Sequence, residues 1–247
     1  MVRIAAIADI HGNLPALEAV LAEVEREKPD LIVVCGDVAS GPMPAETIDV
    51  LRELEGARFV RGNADRGLID EFDGKPQANM PGPHVEWCSK QLTRDQRDFL
   101  ASFEPTVQVD RLLFCHAVPA NDTDVFSVET PEERVRELMQ GVDADLIVCG
   151  HTHMQFDRTV GGLRIVNPGS VGMTYGEPGA YWAMVSPDVE MRRTDYDREA
   201  AAARIRTKDW PAADEFARDN VIKPPSVEQA MEFMRAMEAK QQAQRSR

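Results

Sequence analysis

Long apolar runs, cysteine pairs and a surplus of basic residues are all lacking in this chain of 247 residues. No apolar run approaches the ~18 residues that a membrane-spanning helix needs, so we expect no membrane segment. The first apolar run has no basic region before it and ends at Asp9, which is unlike a signal peptide. The sequence therefore predicts a cytoplasmic protein.

Only four cysteines are present, and no two of them form a CxxC pair, so a structural zinc site has no support. Cys35, Cys115 and Cys149 each lie at the end of an apolar run, beside or near a polar residue that is a candidate metal ligand. Small buried residues that pack the strand ends explain these three cysteines better than disulfides or thiolate ligands.

Basic residues are scarce, since 28 Lys and Arg stand against 42 Asp and Glu and give a net charge of −14. This balance argues against a broad phosphate-binding surface, so we expect no duplex nucleic acid as a partner. It does not exclude a small anionic substrate, because bound divalent cations would reverse the sign of the field locally.

Strand and helix patterns alternate over the first sixty residues. Val2–Ala8 and Leu31–Cys35 are apolar runs typical of buried strands. Between them, leucines recur at three- and four-residue spacing from Asn13, a good N-cap, to about Glu27. A strand, helix, strand order with short connections predicts a parallel βαβ unit.

Antiparallel patterns dominate the later part of the chain. Hairpins are predicted with turns at residues 110–111 and at Gly161 and Gly162, and further strands near Tyr181–Val185 and Val189–Arg193. The predicted fold class is therefore α/β, with two mixed β-sheets packed face to face and flanked by helices.

Two stretches depart from this alternation. From about 66 to 103, glycine and proline residues predict a loop followed by two helices, which we interpret as a cap insertion that influences substrate choice. From about 197 to 247 the chain is helical and polar, and an apolar stripe on its last helix favours packing within the chain or a homo-oligomer. We expect one domain over residues 1–247 with these two additions.

Polar clusters follow several of the apolar runs, and four of the five histidines lie in them. In chain order the candidate ligands are Asp9, His11, Asp37, Asn63, His116, His151 and His153. Imidazole, carboxylate and amide groups form the mixed set that Mn²⁺, Fe, Zn²⁺, Co²⁺ or Ni²⁺ accepts. A single histidine of this kind is more often a buried structural residue, but four in one pattern predict a metal site.

These clusters resemble the motifs of the calcineurin-like metallophosphoesterases. In order they are Asp9-x-His11, Gly36-Asp37, Gly62-Asn63, His116 and Gly150-His151-x-His153. The Asn167-Pro168-Gly169-Ser170 stretch that follows is similar to the small bacterial and archaeal phosphodiesterase branch of that superfamily. The resemblance covers about residues 1–196 and implies a four-layer αββα sandwich.

The resemblance also implies two divalent metal ions, for which Mn²⁺ is favoured, with Asp37 bridging them. The first ion would be held by Asp9, His11, Asp37 and His153, and the second by Asp37, Asn63, His116 and His151. A hydroxide between the ions would attack a soluble phosphodiester or nucleotide. The residues expected to be catalytic are Asp37, Asn63 and His116.

One position departs from the family pattern, because Ala64 stands where many members carry a histidine after the asparagine. The acid for the leaving group is therefore unassigned. We expect Asp65 to hydrogen-bond a ligand histidine instead. A good leaving group needs no strong acid, which favours diesters or anhydrides.

Five residues are candidates for contact with the substrate: Asn13, Arg61, Asp65, Arg66 and His84. The two arginines flank the Gly62-Asn63 motif, although a solvated surface explains them equally well. His84 is more typical of a surface or packing residue than of a substitute acid.

Two other functions fit the same residues. A phosphomonoesterase or a dinucleoside-polyphosphate hydrolase would use the same ligand set on a different substrate. A non-catalytic scaffold of the same fold would be marked by loss of ligand residues, and no such loss is visible at the metal positions.

Overall fold

The computed structural model describes residues 2–75, 82–185 and 188–245. Its strands are β1 (Ile4–Ile7), β2 (Leu31–Val34), β3 (Arg58–Phe59), β4 (Thr106–Val109), β5 (Leu112–Cys115), β6 (Leu146–Val148), β7 (Phe156–Val160), β8 (Leu163–Asn167), β9 (Ala180–Val185) and β10 (Val189–Thr194). Its helices are α1 (Leu14–Glu27), α2 (Pro44–Arg52), α3 (Asn63–Phe72), α4 (Pro83–Lys90), α5 (Arg94–Ala101), α6 (Glu132–Leu138), α7 (Arg198–Arg206), α8 (Ala213–Phe216), a π-helix (Ala217–Ile222) and α9 (Val227–Arg245).

The strands form two five-stranded mixed sheets. The first has the order β10-β9-β1-β2-β3 and the second the order β4-β5-β6-β8-β7. Strands β1, β2 and β3 run parallel, and so do β5, β6 and β8, while the remaining pairs are antiparallel. The carboxyl ends of the parallel strands therefore lie together at one edge of each sheet.

The side chains of β1 alternate between two cores, as the two-residue period of a strand requires. Ile4 and Ala6 lie between the sheets with Phe114, whereas Ala5 and Ile7 face a helical layer. Helix α6 covers the far side of the second sheet through residues such as Val135. The predicted α/β class with two mixed sheets packed face to face and flanked by helices is confirmed.

Helix α1 begins where its sequence predicts. The Asn13 side chain accepts a hydrogen bond from the backbone N–H of Ala16 at 3.4 Å, and Pro15 lies inside the first turn. The helix ends at Lys28, whose φ of 48° is left-handed. Its apolar face, including Leu17 and Val24, packs in the same core as the outer face of β1.

Helix α3 occupies the first part of the predicted insertion. It begins at Asn63, after β3, and buries Leu68 against the first sheet. The predicted loop falls mainly on residues 76–81, which lie outside the described residues. The predicted helices that follow are α4 and α5, and α5 has the expected Thr93 cap.

The C-terminal segment packs in two places. Helices α7 and α8 and the π-helix join the core that contains α1, through residues such as Ile205 and Val221. Helix α9 buries Ala230 and Met234. The middle of the apolar stripe thus packs within the chain while Val227 is exposed, and association between copies stays a prediction.

No helix among the described residues is long and apolar enough to cross a membrane. All four cysteines are free and buried, as expected for small residues that pack the interior. Burial raises the pKa of Cys88 and of Cys115 to about 12, so both thiols stay protonated at neutral pH.

Candidate metal centre

The seven candidate ligands converge at the edge where the parallel strands of both sheets end. Nitrogen and oxygen atoms of Asp9, His11 and His153 lie within 4.8 Å of one another, and we call these residues the first group. Atoms of Asp37, His116 and His151 do the same, and with Asn63 they form the second group. Each of these residues follows β1, β2, β3, β5 or β6.

The backbone is left-handed at five of these seven ligands. The φ values are 54° at Asp9, 47° at His11, 55° at Asp37, 68° at His151 and 60° at His153. Such a conformation costs a non-glycine residue on the order of 1–3 kcal/mol, and it clusters at functional sites. The backbone is therefore strained at these five residues, and its left-handed conformation orients their side chains.

Two glycines allow the ligands to approach the backbone closely. A Cβ atom at Gly62 would lie 2.1 Å from Oδ1 of Asp37, and one at Gly150 would lie 2.7 Å from Oδ2 of Asp9. Any side chain at either position would displace a carboxylate. This explains why glycine accompanies the ligands in the sequence.

The two histidines of the first group direct unprotonated ring nitrogens at each other. Nδ1 of His11 lies 3.3 Å from the Ser40 carbonyl, and Nδ1 of His153 lies 2.9 Å from the Met173 carbonyl. Because a carbonyl only accepts, both rings carry their proton on Nδ1. Their Nε2 atoms, 3.2 Å apart, then direct lone pairs at each other and at the Asp9 carboxylate. A cation satisfies this arrangement.

The second group repeats this arrangement. Nδ1 of His116 donates to the Cys35 carbonyl at 2.8 Å, and the His151 ring donates to the Thr123 carbonyl. Nε2 of His116 therefore faces Nδ1 of His151 at 3.2 Å and Oδ1 of Asn63 at 3.0 Å. The donor set of two imidazoles, an amide oxygen and a carboxylate fits a divalent transition metal.

Asp37 connects the two groups. Its Oδ2 lies 3.8 Å from Nε2 of His11 and 3.4 Å from Nε2 of His116. Its Oδ1 accepts a hydrogen bond from the backbone N–H of Ala64 at 2.8 Å, which fixes the carboxylate plane. One oxygen atom thus faces both groups.

Burial and mutual charge shift the pKa values within the first group. Burial raises the pKa of Asp9 well above its ordinary value, although His116 opposes the shift. Burial also lowers the pKa of His11 and of His153, so that both rings are neutral at pH 7. Neutral imidazoles are the form that binds a metal.

In the second group Asp37 and His116 stabilise each other's charge. Burial alone would raise the pKa of Asp37, but His116, His11 and His151 together outweigh burial and hold the pKa below its usual range. Burial alone would likewise lower the pKa of His116, but Asp37 raises it to about 10. Burial lowers the pKa of His151 to about 4. The protein without metal therefore places a proton where a cation would lie.

Asp65 does not have the expected contact with a histidine, so that prediction is wrong. The side chain is fully buried and accepts backbone N–H bonds, each of 2.9 Å, from Asp37, Val38 and Gly62. Burial and the Asp37 charge raise its pKa to about 6. Asp65 holds the loops after β2 and β3 together, and it is too deeply buried to contact substrate.

Asn13 also has no surface for a substrate. Its side chain is fully buried, and besides capping α1 it donates from Nδ2 to the Gly172 carbonyl at 3.0 Å. The predicted cap is confirmed. Both polar atoms are engaged inside the protein, and the alternative of a phosphate contact stays a prediction.

The other three candidate contacts line cavities beside the two groups. Arg61 and Arg66 line a cavity of about 270 Å³ together with His116. Arg66 pairs with Asp122 through bonds of 2.7 and 2.9 Å. His84 lines a different cavity, of about 440 Å³, on the side of the first group.

Several supporting residues lie around the candidate ligands. The sequence favours a plain tight turn at Ser170 over a supporting role, yet its Oγ donates to the Asp9 carbonyl at 2.7 Å. Sequence reasoning missed the next two residues. Tyr175 stacks on the His153 ring with 6.0 Å between ring centroids. Trp210 lines the larger cavity, but no local pattern connects it with the ligands.

This fold, with polar groups at the ends of parallel strands in two facing sheets, defines a class of metal-dependent phosphoester hydrolases. A family model described as the calcineurin-like phosphoesterase superfamily domain matches residues 2–189. The chain belongs to that superfamily, which confirms the predicted family.

Two curated relatives are similar over most of the chain. An uncharacterized protein of Methanocaldococcus jannaschii is 27% identical over 235 residues, which cover 84% of this chain and 94% of that protein. The phosphodiesterase YfcE of Escherichia coli is 27% identical over 199 residues, which cover 76% of this chain and 90% of YfcE.

Solved structures agree on the fold. A metallophosphoesterase from Sphaerobacter thermophilus is 26% identical with a TM-score of 0.72, covering 89% of this chain and 99% of its own. A protein of Pyrococcus horikoshii is 20% identical with a TM-score of 0.77, covering 92% of this chain and 100% of its own, and it bears on the fold alone. These likenesses support the small prokaryotic branch.

Proposed function

We propose that the protein is a dinuclear metal-dependent phosphodiesterase that acts on a soluble phosphodiester or nucleotide. The observation that supports this most is the position of Asp37, whose Oδ2 faces His11 at 3.8 Å and His116 at 3.4 Å. A carboxylate oxygen between two clusters of bare ring nitrogens is suited to bridge two cations.

In this proposal the ligands divide as the two groups do. One ion would be held by Asp9, His11, Asp37 and His153, and the other by Asp37, Asn63, His116 and His151. Divalent ions held there, for which Mn²⁺ is favoured, would supply activation of a water molecule and neutralise charge on the phosphoryl group. Hydrogen bonds to backbone carbonyls hold the rings of His11, His116 and His153 in the orientation that the ions would need.

The surroundings of the second group favour a substrate with a good leaving group. Ala64 is buried and has no proton to give, so this position supplies no acid. Arg61 is half-buried beside His116, and no carboxylate of the described residues lies within 4 Å of its guanidinium. It is suited to bind a phosphoryl oxygen.

Hydrolysis of bis(p-nitrophenyl) phosphate with added Mn²⁺ tests the proposal in the wild type and in Asp37→Ala. We expect activity in the wild type and a loss of several orders of magnitude in the variant. Equal rates in both would overturn it. Metal analysis of protein purified without chelator addresses the scaffold alternative, since less than one ion per chain would favour it.

A substrate panel separates the two catalytic alternatives. Comparison of kcat/KM for phosphomonoesters, phosphodiesters and dinucleoside polyphosphates should place the diester first. A higher value for a monoester or for a polyphosphate anhydride would replace the phosphodiesterase assignment with the corresponding alternative.

A further inference from the structure

The larger cavity beside the first group is built by parts of the chain that lie far apart in sequence. Its volume of about 440 Å³ falls within the ~300–1,000 Å³ typical of small-molecule sites. One wall consists of His11 and His153, and the others include His84 of α4 and Trp210. An organic group in this cavity would therefore adjoin the metal centre directly.

Aromatic side chains form part of the cavity wall. The Trp210 ring makes T-shaped contacts with the His84 ring, at 5.8 Å between centroids, and with the Phe216 ring, at 5.5 Å. Phe216 is buried and forms part of the main core, so it holds Trp210 in place from the protein side. A fixed indole face is suited to stack on a planar ring.

The charges around this cavity disfavour a phosphate there. None of its described lining residues is lysine or arginine, and Glu215 contributes a carboxylate. Asn220, in the π-helix, adds an amide that both donates and accepts. By contrast, Arg61 and Arg66 line the cavity beside His116.

These features suit a ligand with a planar ring that stacks on Trp210 and an amino group that donates a hydrogen bond to Glu215 or Asn220. A nucleobase has both. Resting on the proposed phosphodiesterase function, we propose that this cavity binds the nucleobase of a nucleotidyl ester. The base stacks on Trp210 on the side of the first group, and the arginine-lined cavity takes the more anionic end. The family domain ends at residue 189, so Trp210 and Asn220 lie outside it.

Kinetics on two esters with the same leaving group test this proposal. The p-nitrophenyl diester of AMP carries a base, and methyl p-nitrophenyl phosphate does not. Trp210→Ala should lower the ratio of kcat/KM for the AMP ester to kcat/KM for the methyl ester about tenfold or more. This is the loss expected when one base–aromatic stack is removed. Trp210→Phe should keep most of the ratio. Phe233→Ala, an exposed aromatic residue on α9, is the control and should leave both rates unchanged.

Calorimetry supplies a readout that needs no turnover. AMP should bind the Mn²⁺-loaded wild type at least tenfold more tightly than ribose 5-phosphate, and Trp210→Ala should lose that preference. Equal affinities in the wild type, or a preference that survives Trp210→Ala, would overturn the nucleobase site. Failure to hydrolyse either ester would count against the proposed function alone, because the calorimetry still decides the cavity.

Discussion

The Ser170 hydroxyl donates to the backbone carbonyl of Asp9 at 2.7 Å and accepts from the N–H of Met173 at 2.7 Å. It thereby connects Asp9, whose backbone is strained at a φ of 54°, to the loop whose Met173 carbonyl fixes the tautomer of His153. Ser170 positions both ends of the first group without belonging to it.

Ser170→Ala should therefore destabilise the protein and weaken the first group. The Met173 N–H loses its partner, and the Asp9 carbonyl keeps only the bond from the Gly172 N–H at 3.0 Å, so the expected loss is about 1–3 kcal/mol. Urea unfolding measures the loss, and Ser102→Ala is the control, because that hydroxyl is exposed and bonds only within its own turn. Equal unfolding free energies for the wild type and Ser170→Ala would contradict the role assigned to this hydroxyl.

Mn²⁺ should raise the melting temperature of the protein stripped of metal. An ion that binds only the folded state at about 100 times its Kd adds about 2.7 kcal/mol to the unfolding free energy. His153→Ala should keep part of this gain and Asp37→Ala almost none, since Asp37 faces both groups. His84→Ala, the histidine outside both groups, serves as the control. If Mn²⁺ raised the melting temperature of Asp37→Ala as much as that of the wild type, Asp37 would not bridge the two ions.

The candidate ligands could be identified from sequence because each belongs to a short motif at a strand end. Asp9, His11 and Asp37 each follow an apolar run that is visible in the sequence alone. The left-handed backbone at these residues could not be predicted, since nothing in a carboxylate or imidazole marks it. It emerges only when glycine neighbours and loops from both sheets are packed together.

Asp65 and Trp210 show where local patterns stop being informative. Asp65 adjoins the third motif and resembles a ligand-orienting carboxylate, yet its partners are backbone amides from another loop. Trp210 is far along the chain from His11 and reaches the same cavity only through the packing of α7, α8 and the π-helix. Both depend on tertiary contacts.

Asp65→Asn should be strongly destabilising although it is nearly isosteric. The carboxylate accepts three backbone N–H bonds, and an amide nitrogen in place of one oxygen would face donors with another donor. The expected loss is about 2–4 kcal/mol, from at least one buried unsatisfied group and a mutual clash of donors. Asp98→Asn, more than half exposed, is the control. An unfolding midpoint within error of the wild type would rule out this scaffold role.

Gln241 connects α9 by hydrogen bonds to the loop that contacts His151. Its side chain accepts from the Val125 N–H at 2.9 Å and donates to the Thr123 carbonyl at 2.7 Å. Gln241→Ala should speed hydrogen exchange of the Val125 amide at least tenfold, whereas Gln244→Ala, which is exposed, should not. Unchanged exchange in Gln241→Ala would show that α9 does not restrain this loop.

Arg61 and Arg66 should differ as phosphate ligands although they line the same cavity. Arg66 is held by Asp122, whereas no described carboxylate lies within 4 Å of the Arg61 guanidinium. A charged hydrogen bond to a phosphoryl oxygen contributes about 1.5–3 kcal/mol, so Arg61→Ala should lower kcat/KM about 10- to 100-fold. Arg58→Ala, which pairs with Glu104 and does not line this cavity, controls for loss of charge. The same kcat/KM in Arg61→Ala as in the control would remove Arg61 from the site and leave Arg66 as the cation beside His116.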